Sequence, residues 1–219
     1  MQRRLRAGYA ALWHGWSSRV VDPALGVETA GRFDLAAVGL DGPGRVNYAP
    51  AGWLDLPRML PRREVCGDDV FLDLGAGKGR IVLMAARYPF ARVIGVELSD
   101  HLTEIARRNV AACHLRPRCR DIQLVTADVL DYAIPDDVSV VYMFHPFDGA
   151  VFDAAIERLI ESADRRPRRL RLLYRFAVAH DRLVRTGRFE LVRQSRPLRP
   201  TGSWRDAVAL RCYELQPER

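Results

Sequence analysis

The stretch Val70-Phe71-Leu72-Asp73-Leu74-Gly75-Ala76-Gly77-Lys78-Gly79-Arg80-Ile81-Val82 decides the fold. Its first five residues form a short apolar run, the length of a buried strand rather than of a helix. Three glycines at alternate positions end that run and mark a tight turn. From there Ile81, Val82, Met84 and Ala85 recur at helical spacing, which predicts a helix over residues 78–88. Strand, glycine turn and helix in that order open a parallel α/β sheet.

The alternation continues outward. Residues 92–98 read as a second strand, and Ser99 as the N-cap of a helix carrying Leu102, Ile105, Ala106 and Val110 on one face. Residues 122–125 and 138–144 are strands three and four, and residues 147–162 return to helical period. A fifth strand over 169–176 alternates Leu170, Leu172 and Tyr174 against arginines, followed by a short helix over 181–186. Two last strands, 189–192 and 207–215, joined through the short loop 196–205, fit an antiparallel hairpin at a sheet edge. The expectation is α/β: a Rossmann-like, seven-stranded, mostly parallel sheet with an antiparallel terminal hairpin and helices on both faces.

Residues 1–62 differ in character. Leu5, Leu12, Trp13, Trp16 and Val20 suggest an amphipathic helix, and turn residues follow at Asp22-Pro23 and Asp41-Gly42-Pro43-Gly44. This segment is read as an N-terminal helical cap over the ligand edge of the sheet, with residues 63–219 as the main domain and both as one structural unit.

Composition narrows the function classes. Hydrophobic residues are 48% of the 219 and charged residues 28%, which suits a globular chain. No apolar run reaches the roughly 20 residues of a membrane span, and the first residues lack the apolar core of a signal peptide. A cytoplasmic protein with no membrane partner is expected. Cys66, Cys113, Cys119 and Cys212 form no C-x-x-C pair, and the residues Cys113, His114 and Cys119 have no second ligand pair, so no metal is expected. The net charge is +7, and Lys78 is the only lysine among 34 basic residues. Arg165, Arg166, Arg168, Arg169 and Arg171 are the one dense cluster, the feature that points toward nucleic acid. Elsewhere the arginines are scattered, as codon bias in a GC-rich genome also produces.

Spacing then selects the ligand. The loop reads G-x-G-x-G, one residue short of the dinucleotide fingerprint, and Gly79 replaces the Ser or Thr of a P-loop. Its glycines leave room for a close ligand, and the next helix offers free amides to a negative group. Glu97, at the end of strand two, can accept from both hydroxyls of a ribose. Asp128, after strand three, can accept from an adenine amino group while the following amide meets a ring nitrogen; its alternative role is a turn or helix-capping aspartate.

Residues 70–86, 92–109, 126–129 and 141–147 together resemble the successive motifs of class I S-adenosylmethionine-dependent methyltransferases. The resemblance implies an enzyme with S-adenosyl-L-methionine as cofactor. It implies that Asp73, Gly75, Ala76, Gly77 and Gly79 cradle the methionine part, Glu97 and Leu98 the ribose side, and Asp128 with Val129 the adenine. Phe144 would lie beside the cofactor. A looser likeness, through Asp-Leu-Gly-x-Gly-x-Gly-Arg and the Tyr48-Ala49-Pro50 segment, is to Dot1-like and related lysine methyltransferases and bacterial relatives of unassigned substrate.

The slot after strand four, an Asn in many amine-methylating members, holds His145. His145 and Tyr48 are the expected catalytic residues: the histidine as proton acceptor from an amine or hydroxyl, or else as a ring that packs or caps the next helix. Tyr48, Phe144 and Phe147 offer aromatic faces to a sulfonium. Trp13, Trp16 and Trp53 either line the acceptor pocket or pack. Lys78 is expected as a solvated first-turn side chain, and Arg80 as a partner of Glu28 or Asp55. The expected acceptor is an amine or hydroxyl of a small molecule or protein side chain. RNA or DNA methylation, and a non-catalytic cofactor-binding protein of the same fold, are the competing readings.

Overall fold

A computed structural model describes residues 20–195 and 210–217. Seven strands, β1 Val70–Leu74, β2 Arg92–Glu97, β3 Ile122–Thr126, β4 Val138–Phe144, β5 Arg171–Arg175, β6 Phe189–Ser195 and β7 Leu210–Leu215, form one sheet. Their order is β3-β2-β1-β4-β5-β7-β6. The first five are parallel, while β7 runs antiparallel to both β5 and β6. The seven-stranded reading with its antiparallel edge therefore holds, and strand order reverses between β1 and β4, where such sheets bind ligands.

Six helices are described: α1 Asp22–Leu25, α2 Asp55–Met59, α3 Arg80–Ala85, α4 Asp100–Ala112, α5 Gly149–Arg165 and α6 His180–Arg185. Ser99 caps α4 by accepting from the Leu102 amide, as its type and place predict. Helix α3 is shorter than the 78–88 expected. Left-handed Gly79 delays its start, and Pro89 restrains the residue before it from continuing. One face of the sheet buries Leu72, Val141, Leu172 and Tyr174 against Phe152, Ile156 and Leu159 of α5. The other buries Phe71, Tyr142 and Leu173 with Val82 of α3 and Leu56 and Met59 of α2. No helix of the described residues is long and apolar enough to cross a membrane.

Two expectations change here. Strand β5 does not alternate between core and solvent, because Leu173 and Arg171 are as buried as Leu172 and Tyr174. Arg171 survives burial by donating to the Glu64 carbonyl at 3.0 Å and facing Asp69 at 3.7 Å, partners supplied from outside the sheet. The N-terminal segment, as described from residue 20, is mostly irregular, with only α1, α2 and two 3-10 turns at Leu35–Val38 and Arg62–Glu64. The helix through Leu5, Leu12, Trp13 and Trp16, and the loop 196–205, lie outside the described residues.

Candidate active site

A cleft opens beyond the carboxyl ends of β1 to β4. Tyr48, Gly75, Glu97 and Leu98 line it, as do Asp128, Val129, Phe144 and His145. Asp73, Ala76, Gly77 and Gly79 do not. They form the layer behind it.

The glycine loop is built for its protein neighbours. The amides of Gly75 and Ala76 both donate to the Val96 carbonyl, at 2.9 and 3.0 Å, and Gly79 donates to the Ala76 carbonyl. The Gly77 amide donates to Glu97 Oε2 at 2.8 Å. The amides of Gly75, Ala76, Gly77 and Gly79 are thus spent on protein acceptors, because the turn folds back onto the end of β2. Close approach is also to protein. With φ at +80° and +54°, Gly75 and Gly77 adopt a backbone disfavoured for other residues, and a Cβ would meet Pro146 at 2.4 Å and the Tyr48 ring at 2.2 Å. Gly79 rests against Ala106 of α4.

Glu97 holds two amides, Gly77 on Oε2 and Ser99 on Oε1. A carboxylate has about four acceptor positions, so two remain for vicinal hydroxyls. Burial pushes its carboxyl up, and the amides of Ser99, Gly77 and Leu98 pull it back. Asp73 Oδ1 is buried with no partner among the described residues. Its carboxyl is held well above the usual range, first by burial and then by Glu97. A half-committed carboxylate on the cleft wall fits a ribose, while the orphan oxygen of Asp73 lies in the layer behind.

Asp128 serves the turn and more. Oδ1 accepts from the Leu130 amide at 3.0 Å, and Oδ2 from the Arg45 guanidinium at 2.8 Å. Arg45 belongs to a segment laid along the loop after β4, with Val46 donating to the Pro146 carbonyl and Asp148 to that of Gly44. No local pattern reveals Arg45, since 83 residues separate it from Asp128.

The cap is tied to the loop by buried charge. Arg80 pairs with Asp22 at 3.3 Å and donates to Thr29 Oγ1 and the Ala51 carbonyl. Neither Glu28 nor Asp55 is its ion-pair partner: Glu28 pairs with Lys78, and Asp55 with Arg175 at 2.6 Å. Lys78 is accordingly buried rather than solvated, donating to Glu28 and to the Ala30 carbonyl at 3.0 Å. Trp53 joins the same network, its indole facing Asp22 and its ring carrying the Arg80 guanidinium. That is a packing role.

Tyr48 has its ring on Gly77 and its hydroxyl donating to the Thr29 carbonyl at 2.6 Å. Burial raises its phenol, so it is no proton acceptor. Phe144 already carries a cation, the Arg175 guanidinium 4.8 Å from its ring. His145 is half-buried, at φ +41°, with Nδ1 3.1 Å from the Tyr174 hydroxyl. It does not cap the next helix; Asp148 does.

The arginine cluster is spent elsewhere. Arg165 pairs with Asp136, Arg168 donates to the Val138 and Ser162 carbonyls, and Arg169 pairs with Glu214. The cluster sits at the amino end of β5, about 15 Å of strand from the cleft edge.

The sheet order with its antiparallel edge, and the cleft beyond the carboxyl ends of the parallel strands, are the fold of class I S-adenosylmethionine-dependent methyltransferases. Residues 71–168, a little under half of the chain, match the family described as a methyltransferase domain. A ribosomal RNA small subunit methyltransferase A of Methanopyrus kandleri is 33% identical over 93 residues, 41% of this chain and 30% of that protein. A protein-lysine N-methyltransferase of Saccharolobus islandicus is 36% identical over 66 residues, 30% of this chain and 41% of the relative. The chain thus spans well under half the length of these relatives. An RNA methyltransferase from Salinibacter ruber, solved with S-adenosyl-L-homocysteine, superposes at a TM-score of 0.55 over 78% of this chain and 96% of that one, at 20% identity. At that identity the likeness is one of fold.

Proposed function

We propose that this chain transfers a methyl group from S-adenosylmethionine to an acceptor admitted beside His145, an amine or hydroxyl of a small molecule or protein side chain. One observation carries the reading: one cleft is lined by Glu97 and Asp128, from the ends of β2 and β3 on one side of β1, and by Phe144 and His145, from the end of β4 on the other. In this reading Glu97 with Leu98 holds the ribose, and Asp128 with Val129 the adenine. Asp73 and the Gly75-Ala76-Gly77-Gly79 turn carry the methionine side. The cofactor brings an activated methyl, so the protein's part is alignment and exclusion of water. The segment Arg45 to Tyr48 supplies a wall for both. The lysine methyltransferase relative supports a protein acceptor.

RNA is the second reading, favoured by the names of the Methanopyrus and Salinibacter proteins. Against it stands the place of the arginine cluster, at the far end of β5 and remote from the cleft. Labelled methyl transfer from S-adenosylmethionine into fractionated protein, small-molecule and RNA pools of cell extract separates the readings. Label in RNA alone, abolished by moderate salt, would favour the second.

A further inference from the structure

The hydroxyl of Tyr174 reaches His145 from below the cleft. Tyr174 is fully buried on β5, its ring stacked on that of His145 with centroids 6.5 Å apart. Burial raises its phenol, and the Ala179 amide pulls it back. A buried hydroxyl also needs an acceptor for its own proton, and the acceptor placed for it is His145 Nδ1, at 3.1 Å. Nδ1 must then present its lone pair, which puts the ring proton on Nε2. The ring is held where it is: His145 at φ +41° and Phe176 at φ +55° end neighbouring strands in left-handed backbone, and their rings meet edge-on at 5.8 Å. Such strain persists only where surroundings enforce it. Burial also holds the imidazole below its ordinary range, against the opposing pull of Asp148.

We propose that Tyr174 is a positioning residue that fixes His145 as a neutral Nε2–H donor, so that the methyl acceptor is a nitrogen nucleophilic in its neutral form. This rests on the reading of the cleft as a methyl-transfer site. A donor at Nε2 takes no proton from the acceptor. It binds a lone pair beside the reacting atom, such as a carbonyl or a ring nitrogen. Among the described residues the other titratable groups lining the cleft have their own partners: Tyr48 donates to Thr29, Glu97 holds two amides and in this reading the ribose, and Asp128 holds Arg45. A hydroxyl would have to lose its proton to something, and among the described residues no group in the cleft is placed to take it. A neutral amine or ring nitrogen attacks the methyl carbon with its own lone pair. The carbon–sulfur bond breaks, and the extra proton on the methylated nitrogen leaves to solvent.

The pair His180 and Tyr213, at 2.7 Å, repeats the arrangement away from the cleft and serves as an internal reference. The test is a long-range proton–nitrogen correlation spectrum of the full chain labelled with nitrogen-15 histidine, at about pH 8, where an ordinary histidine is neutral. His145 is expected with bare Nδ1 and protonated Nε2. Tyr174→Phe should convert it to a mixture of tautomers, leave His180 unchanged, and leave S-adenosylhomocysteine affinity within about twofold. An Nδ1–H tautomer in the unaltered protein, or no change in Tyr174→Phe, overturns the proposal. So does a methyl group recovered as an O-methyl ether from any acceptor. Failure of the unaltered protein to bind S-adenosylhomocysteine would instead strike the reading of the cleft, leaving the tautomer measurement to stand alone.

Discussion

The ring of Tyr48 lies so close to Gly77 that a Cβ there would sit 2.2 Å from Cε2. The loop glycine makes room for an aromatic of the N-terminal segment. With Arg80 on Asp22 and Lys78 on Glu28, it ties the N-terminal segment to the glycine loop proposed to hold the cofactor. Whatever loosens the cap should loosen the cofactor.

Gly77→Ala should therefore cost more than backbone strain. Gly149 has a similar φ, +58°, with nothing within 4 Å of a notional Cβ, so Gly149→Ala isolates the left-handed penalty of about 1–2 kcal/mol. Thermal melts should place Gly77→Ala clearly below Gly149→Ala, and titration with S-adenosylhomocysteine should show at least a roughly tenfold weakening, about 1.4 kcal/mol, for Gly77→Ala alone. Equal losses would contradict the contact.

Arg80→Met should leave Asp22 charged and buried. Both side chains are under 5% exposed, and breaking such a pair costs about 3–5 kcal/mol. At roughly 2–4 °C per kcal/mol for a chain of this size, the melting point should fall by about 6–20 °C. The double variant Asp22→Leu/Arg80→Met should lose less than the sum of the two singles. Additive losses would show that the pair is not coupled.

Asp73→Asn should stabilise the ligand-free protein at neutral pH. Because burial raises this carboxyl in the folded state, the native protein holds the proton more tightly than the unfolded chain does. Its contribution is complete below the ordinary carboxylate pKa of about 3.9 and is lost as pH rises through the higher folded value. The variant should melt above the unaltered protein at about pH 8 and show no gain near pH 3.5. A gain that does not vary with pH would contradict the assignment.

What the sequence disclosed follows contact distance along the chain. Strands Val70–Leu74 and Val138–Phe144 and the Ser99 cap were legible because their signals, apolar runs and a capping side chain, are local. The site residues Gly75, Glu97, Leu98, Asp128, Val129, Phe144 and His145 do line one cleft, since each follows or ends a strand of the same edge. Lys78 and Arg80 were misjudged because their partners lie some 50 residues upstream, in irregular backbone with no periodicity to read. Arg171 looked like a solvent-facing strand residue for the same reason: Glu64 and Asp69 reach it only in the fold.

The arginine cluster should prove dispensable. Arg166→Ala/Arg169→Ala removes two exposed charges at the far end of β5, one of them paired with Glu214 at the surface, where such pairs contribute under about 1 kcal/mol. Cofactor affinity and kcat/KM for the acceptor should stay within about twofold. A large rise in KM confined to an RNA acceptor would move the substrate reading to nucleic acid.

The central claim is that the cleft holds S-adenosylmethionine with Glu97 on the ribose. Calorimetric titration of S-adenosylhomocysteine into the unaltered protein and into Glu97→Ala tests it most directly, with NAD as a control. The account predicts one site in the unaltered protein, no comparable affinity for NAD, and a loss of roughly 10–100-fold in Glu97→Ala, about 1.5–3 kcal/mol for hydrogen bonds to a charged group. No binding of S-adenosylhomocysteine, or an affinity unchanged by Glu97→Ala, would contradict it.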